Sequence, residues 1–181
     1  SWYPARNLVS GRQRMNSTYD PVHMVNTYGA FGSISRTREE VILEGTSQAD
    51  PSDDTVWAEY EFRGKPGDVR RMPRQWSPYH LRLDWLMWFL SLSPAYAQTW
   101  LVPLCRGLLT NDPSITRLLR TNPFAEAPPV HVRATLYRYR FSTAHELRSQ
   151  RVWWPRERLG EYLAPLSLDE ANYLSRRFRS G

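Results

Sequence analysis

Alternation of apolar and polar residues predicts two β-strands in the first half of the chain. Over residues 38–46, Glu40, Ile42 and Glu44 fall on one face, and two aliphatic residues fall on the other. Residues 56–62 alternate more cleanly, with apolar and aromatic side chains on one face and mainly charged ones on the other. An acidic, proline-containing segment separates the two strands. They are therefore predicted to form a hairpin whose second strand has a solvated face.

Helical spacing replaces this alternation after Pro78. Apolar residues between positions 81 and 92 recur at i, i+4, i+7, i+8 and i+11, which predicts a helix that can pack on a sheet. A second helix is predicted over residues 99–109. A third, shorter one is predicted over residues 112–120, because an aspartate and a proline at its start form a typical N-terminal cap. A serine followed three residues later by a glutamate predicts a last helix over residues 167–178.

A further strand is predicted over residues 130–141, and its apolar residues change faces part-way. Up to Leu136 the apolar residues share one face, whereas Tyr137 and Tyr139 take the other. This change predicts either a bulge near Leu136 or a strand that is covered on both faces. Residues 152–154 are a candidate for another short strand.

The order of these elements indicates the fold class. Strands come first, then helices, then a strand and a final helix, which favours an α+β fold. We predict an antiparallel β-sheet or sandwich with a helical layer or insertion on one side. The length suits a single domain over residues 1–181, with an irregular lead-in over 1–21 and a helical insertion over 79–121.

The charge distribution bears on the choice of partner. The chain has a net charge of +6, and Lys65 is its only lysine. The arginines are scattered from Arg6 to Arg179 with acidic residues between them, which disfavours nucleic acid as a partner because a nucleic-acid binder usually has a basic stripe. The eight tryptophans indicate either a tryptophan-rich core or a binding surface, and stacking of arginines on aromatic rings is expected.

Cys105 is the only cysteine, so an internal disulfide, a CxxC redox pair and a cysteine zinc site are all excluded. It lies among leucines at helical spacing, which predicts a buried, unreactive thiol. No apolar run reaches the roughly 18 residues that suggest a membrane span. Because the chain starts at Ser1, without methionine, we expect it to be a piece of a longer protein whose membrane part lies upstream.

Catalytic and metal-binding patterns are absent from the sequence. The four histidines lack the HExxH or HxH spacing that places two imidazoles on one metal, and no nucleophile elbow occurs. The segment 64–68 is not a Walker loop, because Pro66 replaces the residue that would bind magnesium. Glu59 and Glu61 share a strand face. This arrangement could be the pair of carboxylates of a glycosidase, but an ordinary solvated strand face explains it better. We predict no catalytic residue, no metal and no cofactor.

Asp84 is the most conspicuous charge, because it interrupts the apolar helix predicted over residues 81–92. A carboxylate beside residues that face a core is costly unless it is paired and hydrogen-bonded. We expect an arginine partner for it, either Arg82 or an arginine from the strand segment 133–140. Such a pair would fix the helix against the sheet.

Short strings of uncommon residues run in order along most of the chain and resemble the C-terminal domain of the lipase maturation factor family. Several adjacent uncommon residues match at once, which makes a chance match very improbable. The strings are VNTYGAFG at 25–32, EVILEGT at 40–46, YEF at 60–62, KPGD at 65–68, PYHLRLDW at 78–85, MWF at 87–89, NPF at 122–124, PP at 128–129, YRYRFS at 137–142, WW at 153–154 and PLSL at 165–168.

The resemblance gives particular motif positions a possible structural or client-binding role, although it supplies no catalytic residue. These positions are Asn26, Tyr28, Gly29, Phe31, Lys65, Pro66, Gly67, Arg82, Asp84, Trp85, Trp88, Tyr137, Tyr139, Trp153 and Trp154.

The resemblance also implies a function. Animal members are multi-pass membrane proteins of the endoplasmic reticulum that assist secreted lipases, such as lipoprotein lipase, to fold and assemble. Their C-terminal domain lies in the lumen and is linked to contact with the client. The resemblance therefore implies a non-enzymatic, extracytoplasmic domain of a membrane-anchored maturation factor, whose partner is a secreted, lipase-like client protein.

One departure from the family pattern concerns the source of the chain. Animal members carry cysteines in the loop where this chain has Gly64 and Arg74, so no loop disulfide can form here. Together with the arginine bias, this favours a bacterial member at the cell membrane. Two other classes of function stay open: a carbohydrate- or lipid-binding β-sandwich module, and an enzyme whose site is completed by the membrane part.

Overall fold

A computed structural model of the protein describes residues 2–10, 37–72, 81–92 and 99–177. The chain divides into two units, one of residues 1–36 and one of residues 37–181. The first string of the family resemblance, with Asn26, Tyr28, Gly29 and Phe31, lies outside the described residues.

The first unit contains a helix, α1, over Trp2–Val9. An irregular lead-in was predicted for this part of the chain, and that prediction is wrong for these eight residues. Pro4 is compatible with the helix because it lies in the first turn, where a backbone N–H has no partner within the helix.

The second unit is built on a four-stranded antiparallel sheet in the order β2-β1-β3-β4. The strands are β1 over Thr37–Thr46, β2 over Ala58–Glu59, β3 over His131–Arg140 and β4 over Arg156–Ser167. The hairpin of β1 and β2 was predicted, but β2 is much shorter than expected. The long strand β4 was not predicted, because charged residues, a glycine and a proline interrupt its alternation.

Five helices accompany the sheet in this part of the described chain. They are α2 over Arg82–Leu92, α3 over Leu101–Leu109, α4 over Pro113–Thr116, α5 over Ala144–Gln150 and α6 over Leu168–Arg177. Asp112 caps α4 by accepting a hydrogen bond from the Ser114 amide at 2.8 Å. Ser167 and Glu170 form the predicted capping box of α6. The α+β prediction is therefore confirmed.

The main core lies between one face of the sheet and the helices. Val41 and Leu43 of β1 are fully buried there, and α2 contributes Met87 and Leu90. The residues of α3 that enter this core include Cys105, which is also fully buried. The predicted apolar face of β1 is therefore confirmed.

The predicted stripe of α2 is wrong, because Met87 and Leu90 enter the core while Trp85 and Leu92 of that stripe are exposed. Apolar residues lie on every side of this helix, so their spacing does not decide which side is buried.

The opposite face of the sheet is covered as well, which the sequence did not predict for this hairpin. A second cluster of Ile42, Tyr139 and Trp154 packs there, with Val69 from the loop after β2 laid over it. The Val69 carbonyl accepts hydrogen bonds from the amides of Trp153 and Trp154, at 2.8 and 3.1 Å. The face of β1 that carries Ile42 therefore belongs to a second, smaller core.

The change of apolar face within β3 has both of the predicted causes. Toward β1 the pairing of β3 is continuous, from Thr37 opposite Arg140 to Thr46 opposite His131. Toward β4 the register shifts three times, and one shift lies between Leu136 and Tyr137. The strand is thus covered on both faces and is paired irregularly with its outer neighbour.

We expect Cys105 to react with thiol reagents only after unfolding. The side chain is fully buried, and burial raises the pKa of its thiol to about 12. Between the ordinary thiol pKa of about 8.5 and this value, the thiolate forms only in the unfolded chain. The stability contributed by Cys105 is therefore present below pH 8.5 and is lost as the pH rises toward 12.

Two measurements check this prediction. Iodoacetamide labelling at pH 8.5 should be slow for the native chain and fast in urea. Between pH 8.5 and 9.5, Cys105→Ala should lose less stability with rising pH than the unaltered chain does. Rapid native labelling, or identical pH dependence in both chains, would contradict a buried, protonated thiol.

Candidate functional site

A buried ion pair joins the loop after β2 to β1. The Lys65 ammonium lies 2.9 Å from Glu40 Oε2 and donates a hydrogen bond to the Val41 carbonyl at 2.7 Å. The two charged side chains are 2% and 0% exposed. Arg38 contacts the other oxygen of Glu40 from the solvent side.

The shortness of β2 explains why Lys65 takes this position. The amide of Tyr60 still donates to the Leu43 carbonyl at 2.9 Å, but beyond that point β2 no longer pairs with β1. The carbonyl of Val41 would then be buried without a donor, which is costly. The Lys65 ammonium supplies that donor and at the same time neutralises Glu40.

Asp84 holds the same loop from the other side. Its Oδ1 atom accepts hydrogen bonds from the backbone amides of Gly64 at 2.5 Å and Lys65 at 3.2 Å. The prediction that an arginine pairs with Asp84 is wrong for the described residues. Neither Arg82 nor any arginine of β3 forms an ion pair with Asp84 there. The first turn of α2 places the carboxylate beside the loop, and loop amides satisfy it instead.

Burial is the dominant influence on both ionisable groups. It lowers the pKa of Lys65, and the nearby Glu40 carboxylate opposes that shift. Burial also raises the pKa of Asp84, against the opposing hydrogen bonds from the Gly64 and Lys65 amides. Pro66 and Gly67 of the same loop are buried too. This arrangement, which we call the anchor cluster (Glu40, Lys65 and Asp84), fixes a loop to the sheet and to α2.

Arginines stacked on aromatic rings occupy the second face of the sheet. The guanidinium of Arg156 lies 4.5 Å from the ring centre of Tyr137, contacts Glu59 with both terminal nitrogens and donates to the Tyr139 hydroxyl at 3.0 Å. The stacking that the sequence indicated is therefore present. It links the outer strand β4 to β2 across the sheet.

A second stacked pair lies on the same face. Arg133 lies 4.1 Å from the ring centre of Trp57 and pairs with Glu44 at 2.7 Å. Thr135 and Tyr137 also donate hydrogen bonds to the Glu44 carboxylate, at 2.9 and 3.3 Å. The aromatic rings and the carboxylates of this face are thus occupied by residues of the chain itself.

The outer side of α2 carries three aromatic rings in mutual contact. The ring centres of Trp85, Trp88 and Phe89 lie 5.1 to 5.6 Å apart. Trp85 is 37% exposed, and Leu92 at the end of the helix is 51% exposed. The guanidinium of Arg38 lies 5.5 Å from the ring centre of Trp88. We call Trp85, Trp88 and Phe89 the aromatic ledge.

The described residues meet the requirements of neither a metal site nor a membrane-spanning helix. Within residues 2–10, 37–72, 81–92 and 99–177, no group of three His, Cys, Asp or Glu side chains could hold a metal ion. Among the helices described, none is long and apolar enough to cross a membrane.

Comparison with known proteins identifies the family. A family model described as the lipase maturation factor C-terminal domain matches residues 24–164. This chain belongs to the lipase maturation factor family. Lipase maturation factor 1 of Bos taurus is 51% identical over 89% of this chain and 29% of its own length. Lipase maturation factor 2 of Rattus norvegicus is 35% identical over 90% of this chain and 23% of its own length.

The match is confined to one part of these relatives. The chain spans less than a third of the length of the lipase maturation factors it matches, including the human lipase maturation factor 1 at 30%. No solved structure matches the chain. Expectations about the membrane part and the bacterial source stay predictions.

The structure distributes the family motif positions among three places. Lys65 and Asp84 meet at the anchor cluster, although they come from strings about 20 residues apart, and Pro66 and Gly67 follow Lys65 in the same loop. Trp85 and Trp88 form the aromatic ledge. The motif residues on the second face of the sheet are Tyr137, Tyr139, Trp153 and Trp154. Arg82 is exposed on α2 and joins none of these groups.

Three residues that hold the anchor cluster and the second face of the sheet were missed from the sequence. Glu40 was taken for a residue of a polar strand face, although a lone lysine elsewhere in the chain was the signal for a buried partner. Arg133 and Arg156 were two of many scattered arginines. Only the pairing of distant strands shows which arginines stack on rings.

Proposed function

We propose that this domain is a non-enzymatic, extracytoplasmic part of a membrane-anchored maturation factor, and that it assists folding or assembly of secreted clients such as lipases. The observation that carries the proposal is the aromatic ledge on α2. The family membership supports the maturation role, and the chain spans less than a third of the length of the relatives it matches.

The composition of the ledge suits contact with another protein. Tryptophan and arginine are the residues most enriched at the energetic centres of protein interfaces. Here two tryptophans and a phenylalanine lie together, with Arg38 beside them and Leu92 exposed at the helix end. An apolar residue exposed next to such rings extends the patch that an incompletely folded client could cover.

The alternative of a carbohydrate-binding module has less support. Such a module needs aromatic rings open on a sheet face, where sugar rings can stack. On the second face of this sheet, Arg133 covers Trp57 and Arg156 covers Tyr137, while Tyr139 is fully buried. The rings that could form a sugar platform are therefore already in use.

The test exchanges the matching segment of a longer relative for the corresponding segment of this chain. Residues 24–164 of this chain replace the matching segment of the cattle lipase maturation factor 1, in cells that lack their own factor. We expect the exchanged protein to restore secretion of active lipase. Trp85→Ser should lower the active lipase secreted several-fold, because a central tryptophan of an interface typically contributes about 2 kcal/mol or more.

Matched controls separate binding from folding. Leu118→Ser removes an apolar side chain of similar exposure outside α2 and should leave secretion unchanged. Trp85→Phe should keep most of the activity. Thermal melts of the 181-residue variants check that the fold persists. The proposal fails if the exchanged protein restores no active lipase, or if Trp85→Ser acts like the Leu118→Ser control.

A further inference from the structure

The turn between β3 and α5 holds an aromatic ring in water at one end of the sheet. Phe141, which directly follows β3, is 64% exposed, and its ring centre lies 4.6 Å from that of the buried Trp154. The support beneath it is fixed, because the Ser142 amide donates to the Trp153 carbonyl and the Trp153 amide donates to the Val69 carbonyl. A single exposed ring does not identify a contact surface by itself, so the charges around it decide what it fits.

Two exposed arginines lie on the helix that follows this turn. Arg148 is in the last turn of α5, and Arg151 is the C-terminal cap of that helix. Within the described residues, neither guanidinium group forms a hydrogen bond or an ion pair. Arg140 differs, because it pairs with Glu146 of the same helix. The turn and the helix therefore combine an exposed ring with two positive charges, and we call Phe141, Arg148 and Arg151 the basic tip.

The two ends of the sheet carry opposite charge. Residues 138–158, which include the basic tip and the adjoining strand ends, contain six arginines and two glutamates. At the opposite end, the loop over residues 47–55 contains three aspartates and no basic residue, and α6 begins there with Asp169 in its first turn. The 10 residues of β1 separate these ends by about 30 Å. An anionic surface would attract one end and repel the other, which turns Phe141 toward that surface.

We propose that the basic tip docks on the surface of an anionic phospholipid bilayer. Phe141 would enter the boundary between headgroups and acyl chains, while Arg148 and Arg151 would lie at the charged headgroups. Burial of an apolar ring and attraction of basic residues to anionic lipids add to each other in interfacial binding. A bilayer accepts an exposed ring without a preformed pocket, whereas a folded acidic protein would need a complementary one. This role is independent of client binding at the aromatic ledge.

The experiment uses the 181-residue chain and sedimentation with phospholipid vesicles. One set of vesicles is phosphatidylcholine alone, and the other contains about one third phosphatidylserine, which carries a negative charge. We expect binding to the anionic vesicles and no detectable binding to the neutral ones. Raising the salt from about 0.1 M to about 1 M shortens the Debye length from about 10 Å to about 3 Å, and should weaken this binding about tenfold or more.

Paired variants assign the binding to the charges of the basic tip. Arg148→Gln combined with Arg151→Gln should weaken vesicle binding about 25-fold, because each arginine near an anionic surface contributes about fivefold. Arg117→Gln combined with Arg177→Gln removes the same charge from exposed positions at the ends of α4 and α6. This control pair should weaken binding by less than about threefold.

The exposed ring is tested separately from the charges. Phe141→Ser should weaken vesicle binding about tenfold, whereas Tyr173→Ser, which alters a side chain of 66% exposure on α6, should leave it unchanged. Because Cys105 is buried, a cysteine introduced by Phe141→Cys can be labelled selectively with a polarity-sensitive fluorophore. Its emission should shift to the blue on anionic vesicles, and the same label introduced by Tyr173→Cys should not shift. Thermal melts show whether each variant keeps its fold.

Four results would overturn the proposal. The first is absence of binding of the unaltered chain to the anionic vesicles at low salt. The second is an equal loss of binding in the two arginine pairs, which would indicate a general effect of net charge. The third is an unshifted label at position 141 on vesicles that bind the chain. The fourth is binding to soluble polyglutamate as tight as that to the vesicles, which would assign the basic tip to an acidic protein partner.

Discussion

Lys65→Met should destabilise the domain by about 3–5 kcal/mol, the range found when one partner of a buried ion pair is removed. The substitution keeps most of the side-chain volume but removes the buried cation beside Glu40 Oε2, so that Arg38, which contacts the other oxygen from the solvent side, is left to pair with this buried carboxylate. It also removes the donor to the Val41 carbonyl. Urea unfolding, with comparison of midpoint and slope, measures the loss.

A double variant separates the ion pair from simple packing. In Lys65→Met combined with Glu40→Met, no buried charge remains unpaired, and apolar replacement of a buried pair is often close to neutral. We expect the double variant to recover most of the stability, with about 1–2 kcal/mol still missing because the Val41 carbonyl stays without its donor. If the double variant is as unstable as the single one, the ion pair does not explain the loss.

Asp84→Ala should cost about 1–3 kcal/mol, because the buried Lys65 amide loses its acceptor, whereas Gly64 is exposed and its amide can bond water instead. The amides of Gly64 and Lys65 would have no other acceptor among the described residues. Asp84→Asn keeps an acceptor oxygen and should cost about 1 kcal/mol. Urea unfolding at pH 7 compares the variants.

A control variant distinguishes this explanation from the arginine pair expected from the sequence. Arg82 is exposed and forms no ion pair with Asp84, so Arg82→Ala should change stability by less than about 0.5 kcal/mol. An Arg82→Ala loss as large as that of Asp84→Ala would restore the original interpretation.

The pH dependence of Asp84 has a definite sign. Burial raises its pKa above the ordinary value of 3.8, so the folded state binds the proton more tightly than the unfolded state. The stability from this protonation is fully present below pH 3.8 and is lost as the pH rises through the raised pKa. The unaltered chain should therefore lose stability relative to Asp84→Asn as the pH rises from acid to neutral.

Local pattern was sufficient to predict several parts of this molecule. The face of β1 that carries Val41 and Leu43 and the caps at Asp112 and Ser167 follow from interactions within a few residues. Periodicity and capping express such short-range geometry directly. The family membership was likewise readable from strings of neighbouring residues.

The tertiary structure alone decided how the charges are used. Glu40 and Glu44 alternate with apolar residues as solvated glutamates do, yet they are buried, because Lys65 reaches Glu40 from 25 residues away along the chain and Arg133 reaches Glu44 from 89 residues away. Asp84 similarly binds amides 19 and 20 residues before it. Such pairs depend on strand order and loop path, and a charge in a one-dimensional pattern does not specify what will face it in the fold.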